Sequence, residues 1–115
     1  DGDPEFELFP RHALPGKGRQ IVAGLDTSGA VAVIPKRRYS AFFGTDLDAR
    51  LRELDITTLR LVGNCTNICV FFTAADAANR DYSIEVVRDA VASFDLEAHG
   101  HALRELERTL GAKVL

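Results

Sequence analysis

The sequence predicts an α/β protein built on a parallel sheet, and two observations carry that prediction. Short apolar, β-branched runs alternate with stretches of helical spacing. The strand–helix pair recurs three times before a closing strand, an order that favours right-handed βαβ crossovers.

The elements follow in order. Residues 1–30 form an irregular, ordered loop region punctuated by Pro4, Pro10, Pro15, Gly16, Gly18, Gly24 and Gly29. The run A-V-A-V-I over 30–34 suits a strand buried on both faces, ended by Pro35 and Lys36. Thr45 and Asp48 have capping-box spacing, and Leu47, Leu51 and Leu54 lie at i, i+4, i+7, so an amphipathic helix follows. A second buried strand covers 58–62 and is stopped by Gly63. The Ala-rich stretch 66–79 is a buried helix, 83–88 a third strand, and 95–110 a helix with Leu96, Leu103, Leu106 and Leu110 on one stripe. Gly111 caps it, and 112–115 is the closing strand. No repeat, linker or low-complexity segment interrupts residues 1–115, which read as a single domain.

Composition narrows the function classes. With 46% hydrophobic and 27% charged residues, the chain falls among ordinary soluble domains. Its 14 basic and 17 acidic residues are interspersed to a net charge of −3, which leaves no basic face for nucleic acid. No apolar run approaches the ~20 residues that cross a bilayer, and D-G-D-P-E-F lacks a signal peptide's basic and apolar regions, so a cytoplasmic location is expected. The two cysteines, Cys65 and Cys69, are too few for a secreted disulfide framework and are not spaced as CxxC. The absence of Met implies that a segment was removed from the front.

In open parallel sheets, ligands bind beyond the carboxyl ends of the strands. The residues there are Lys36, the segment from Gly63 to Cys69, and Asp89. G-N-C-T-N-I-C-V runs from a strand end into a helix start, where free backbone N–H groups and the helix dipole favour a thiolate and can receive an oxyanion. Both cysteines are equally readable as small buried apolar residues. Lys36 could face the same crevice, or be a solvated strand end beside Arg37 and Arg38. His12 is either a metal ligand or an exposed loop residue, while His99 and His101 read as packing or surface residues on the last helix.

Four blocks spread over nearly the whole chain, D-P-E-F-E-L-F-P-R-H, K-R-R-Y-S-A-F-F-G-T-D-L-D, L-V-G-N-C-T-N-I-C-V and R-D-A-V-A-S-F, together resemble the isochorismatase-like cysteine hydrolases. Their order and spacing look most like the nicotinamidase-related branch. The resemblance implies a three-layer α/β/α fold with Rossmann-like topology and sheet order 3-2-1-4-5-6, of which this chain holds strands 3 to 6. The absent pair would sit between the Lys36 and Cys69 strands, and a partial domain with two exposed sheet edges calls for a homo-oligomer or a completing segment.

By the same resemblance Cys69 is the nucleophile, Lys36 belongs to the catalytic triad, and the N–H groups of Cys65 and Cys69 form the oxyanion hole. The Asn64–Cys65 peptide is expected to be cis, Tyr39 and Phe42 to line the substrate pocket, and His12 to bind a divalent metal such as zinc in the whole enzyme. Asn64 is a mild departure from the family pattern. The triad's Asp and the upstream metal partners have no counterpart, and Ala13 and Lys17 replace the usual Cys and Thr, so this chain alone is not expected to hold the metal. The implied activity is hydrolysis of a small amide through a thioester, nicotinamide to nicotinate and ammonia first. The alternatives are a hydrolase of N-carbamoyl compounds or ureides, and a non-catalytic fragment completed by a partner chain. Vinyl-ether hydrolases of the superfamily often lack the cysteine, so Cys69 argues for C–N cleavage.

Overall fold

The computed structural model describes residues 34–115, which hold α1 (Leu47–Glu53), β1 (Thr58–Asn64), a π-helical turn (Thr66–Val70), α2 (Phe71–Asn79), β2 (Ser83–Ala92), α3 (Leu96–Arg108) and β3 (Lys113–Val114). Among these residues the three strands form one parallel sheet in the order β1-β2-β3. The protein is therefore α/β with a parallel sheet, as the repeated strand–helix order requires. The predicted strand over 30–34 lies outside the described residues except for Ile34.

One core organises the elements. Ile84 and Val86 point from β2 to the same side as Leu59 and Leu61 from β1, because side chains two apart share a face. Ala74 and Ala77 of α2 and Leu103 and Leu106 of α3 close over them. The small alanines let α2 lie close on the sheet, while Leu106, wholly buried, fills the space beside it. On the opposite face Arg60 pairs with Glu85 at 2.9 Å and Val62 is exposed. Two layers of the expected three-layer arrangement thus lie among the described residues.

Several boundaries differ from the sequence reading. Gly63 does not stop β1: it takes φ +119°, which glycine adopts without a Cβ penalty, and the strand continues to Asn64. The pairing shifts there, from Leu61↔Val86 to Gly63↔Val91, so β2 carries extra residues and runs to Ala92 rather than Arg88. Asp89 accordingly sits within β2, and the residue beyond the strand's carboxyl end is Ser93.

The helix ends also correct the reading. No capping box forms at α1: its N-cap is Asp46, and the Thr45 hydroxyl accepts the Leu47 N–H at 3.3 Å. Asp48 instead accepts the Tyr82 hydroxyl at 2.6 Å. Burial, then this bond, raises the Tyr82 phenol above its ordinary value and keeps it a donor. In α3 the Asp95 carboxylate caps the Glu97 and Ala98 N–H groups, so Leu96 occupies the first helical position and is 84% exposed. The buried stripe begins at Ala102, where the helix comes over the sheet. No helix among the described residues is long and apolar enough to cross a membrane.

Candidate active site

Beyond the carboxyl end of β1 the chain turns sharply through a cis peptide at Asn64–Cys65 and enters the π turn that leads directly into α2. The turn is wider than an α-helical one. Ile68 and Val70 both donate their backbone N–H to the Cys65 carbonyl, at 3.1 and 3.2 Å. The Cys69 N–H lies between them in the first turn of the helical run, which starts after the N-cap Cys65. N–H groups at the start of a helical run can receive a developing negative charge.

Lys36 reaches this turn from the loop before α1. Its ammonium donates to the Arg38 carbonyl at 2.9 Å and lies 3.7 Å from the Cys69 sulfur. The two groups border one crevice of about 240 Å³, walled by Leu61, Val62 and Val70 with Asn64 at its edge. Cys65, also half-buried, borders a separate pocket of about 80 Å³ with Ser93 and Phe94. The two thiols, equivalent by spacing, are thus set apart by surroundings: Cys69 has the Lys36 ammonium beside it, while among the described residues no cation lines the Cys65 pocket.

Not every predicted site residue comes to this crevice. Phe42 is 5% exposed and belongs to the core, 5.9 Å from the Tyr82 ring and under the Arg80 guanidinium. Tyr39 stacks on Phe72 at 5.7 Å and lines a neighbouring groove with Phe43 and Asp76. Neither borders the Lys36–Cys69 crevice, because residues 39–42 turn their aromatic rings towards α2 and Tyr82 while Ala41 faces the crevice. His12 lies outside the described residues. Among the described residues no three His, Cys, Asp or Glu side chains converge, so these residues do not fit a metal ion.

Two contacts behind the turn were not legible in the sequence. Nδ1 of His99 lies 2.8 Å from the buried Thr66 hydroxyl, and the Ser93 hydroxyl donates to the Asn67 side-chain carbonyl at 2.7 Å. The signal available was polarity: Thr66 and Asn67 interrupt an otherwise apolar helix start and need partners.

The model of the isochorismatase domain matches residues 2–115. The chain belongs to the isochorismatase family. It is 43% identical over 119 residues to an uncharacterized isochorismatase family protein, PncA, of Bacillus subtilis, covering 96% of this chain and 65% of that protein. A pyrazinamidase/nicotinamidase structure from Streptococcus mutans is 45% identical with a TM-score of 0.85, over 100% of this chain and 68% of that one. An N-carbamoylsarcosine amidase structure from Thermoplasma acidophilum is 38% identical with a TM-score of 0.83, over 98% and 64%. The chain spans between 36% and 65% of the length of the curated relatives it matches. A similar pyrazinamidase from Pyrococcus horikoshii, 34% identical with a TM-score of 0.66 over 70% of this chain and 45% of that one, was solved in complex with zinc.

Proposed function

We propose that the whole protein hydrolyses a small amide, nicotinamide to nicotinate and ammonia, with Cys69 as nucleophile. The observation that carries the proposal is the Lys36 ammonium 3.7 Å from the Cys69 sulfur, in the first turn of a helical run that follows the end of β1. Lys36 places positive charge against the thiolate, which attacks the amide carbonyl. The carbonyl oxygen becomes an oxyanion received by the Cys69 N–H and, in this proposal, that of Cys65. The amide nitrogen takes up the proton given up by the thiol, collapse breaks the C–N bond to release ammonia, and a thioester remains; water then releases the acid and returns a proton to the thiol. The described crevice residues include Lys36 and no carboxylate, so a carboxylate base that shuttles protons with Lys36 would come from outside them.

A related reading places an N-carbamoyl compound or ureide in the same crevice, and similarity to an N-carbamoylsarcosine amidase favours it. The chemistry at Cys69 is the same, since each substrate presents a carbonyl bonded to nitrogen. β1 has no strand on its outer edge among the described residues, which supports a completing segment or second chain there.

Ammonia release from nicotinamide and from an N-carbamoyl amino acid, measured side by side on the whole protein, tests both. The proposal expects nicotinamide turnover that Cys69→Ala abolishes; equal ammonia release by the Cys69→Ala variant contradicts it.

A further inference from the structure

Thr66 follows the cis-linked Cys65 directly, and its side chain is wholly buried behind the turn, away from the crevice. A buried hydroxyl left without a partner is costly, so the turn is held where its hydroxyl finds one. That partner is His99 Nδ1, 2.8 Å away on α3. His99 is itself fixed: its backbone N–H donates to the Asp95 carbonyl at 2.9 Å, and Asp95 caps the helix. α3 is seated on the sheet through Leu103 and Leu106, one βα unit further along the chain. The bond therefore fastens the Cys65–Cys69 turn to a helix that carries neither Lys36 nor Cys69.

The next residue is tied as well, Asn67 to Ser93. Ser93 lies in the connection between β2 and α3, so the His99–Thr66 bond is the tie that reaches a helix. It is also the one whose turn residue is fully buried, since Asn67 is half-buried.

We infer that His99 is a positioning residue for the nucleophile turn: through the Thr66 hydroxyl it fixes the Cys69 N–H relative to the Cys69 sulfur and Lys36. This deepens the amidase proposal and rests on it. An oxyanion exists only after attack, so a misplaced N–H lowers kcat and leaves KM nearly unchanged. A neutral imidazole makes this bond in either tautomer, with Nδ1 donating to the hydroxyl or accepting from it. Asn offers a donor and an acceptor at comparable reach; Ala offers neither.

The test compares His99→Ala, His99→Asn and Thr66→Val with the unaltered whole protein, reading kcat and KM for nicotinamide and the rate of Cys69 alkylation by iodoacetamide. His99→Ala and Thr66→Val should lower kcat about tenfold to a hundredfold with KM held within about threefold, the scale of small misplacements in an active site. His99→Asn should recover most of the rate. Combining His99→Ala with Thr66→Val should cost no more than Thr66→Val alone, because both remove one bond. A His99→Ala kcat within about twofold of the unaltered protein, or His99→Asn as slow as His99→Ala, overturns the inference. Alkylation separates this outcome from failure of the substrate proposal. If the protein does not turn over nicotinamide, a Cys69 alkylation rate altered in His99→Ala and restored in His99→Asn supports the tie, and an unaltered rate in His99→Ala overturns it.

Discussion

The ammonium of Lys36 lies 3.7 Å from the sulfur of Cys69, although 33 residues separate them in the chain. Lys36 is exposed and also donates to the Arg38 carbonyl, and no carboxylate lines the crevice among the described residues. Lys36→Met, which keeps the aliphatic stem and removes the charge, is expected to reduce nicotinamide turnover about a hundredfold or more, as loss of one electrostatic or proton-transfer group does. Lys36→Arg should restore only part of it, because a planar guanidinium does not reproduce a compact ammonium. Steady-state rates on the two variants check this.

The two thiols should separate cleanly. Cys65 contributes a backbone N–H in the proposed mechanism, and its side chain borders the smaller pocket with Ser93 and Phe94. Cys65→Ala is therefore expected to retain turnover within about threefold, since the N–H is unchanged. Peptide mapping after limited alkylation should find label on Cys69 before Cys65.

The core makes its own prediction. Leu106 is wholly buried among side chains of the sheet and α2, and Leu106→Ala is expected to cost about 2–5 kcal/mol of stability by the transfer and cavity terms together. Denaturant unfolding of the variant reads this. Leu96→Gln, on the same helix but 84% exposed, should change stability by no more than about 0.5 kcal/mol.

Asp95 couples fold and site, since it caps α3 and anchors His99. Asp95→Ala is expected to destabilise by about 1 kcal/mol, the usual cost of a lost N-cap. Asp95→Asn, which keeps the side-chain acceptor, should recover most of that loss in the same unfolding measurement.

Much of the fold was legible because periodicity reports burial directly. β1, the Ala-rich helix and the leucines Leu103 and Leu106 came from apolar spacing, and Gly111, with φ +69°, marks the end of α3 as a helix-terminating glycine should. Gly63 is ambiguous in sequence because a glycine after an apolar run signals a strand end equally well as a strand that bends. The alternation predicts an end to β2 at Arg88 because its irregular middle, Arg88 to Ala90, is exposed before Val91 returns to the core. Leu96 shares the spacing of the stripe yet is exposed, because hydrophobicity alone does not say where a helix meets the sheet. Within the site, spacing alone left Cys65 and Cys69 equivalent; the meeting of Cys69 with Lys36 depends on tertiary geometry. The His99–Thr66 bond joins residues 33 apart with no periodic signal, so only folding reveals it.

The central claim is a covalent acyl-enzyme on Cys69. Acid quenching of the whole protein during nicotinamide turnover, followed by mass spectrometry of its peptides, reads it most directly. A nicotinoyl group on the Cys69 peptide, absent in Cys69→Ala and in the Cys65 side chain, is the predicted result. Steady turnover with no acyl adduct on Cys69, sustained in the Cys69→Ala variant, would contradict it.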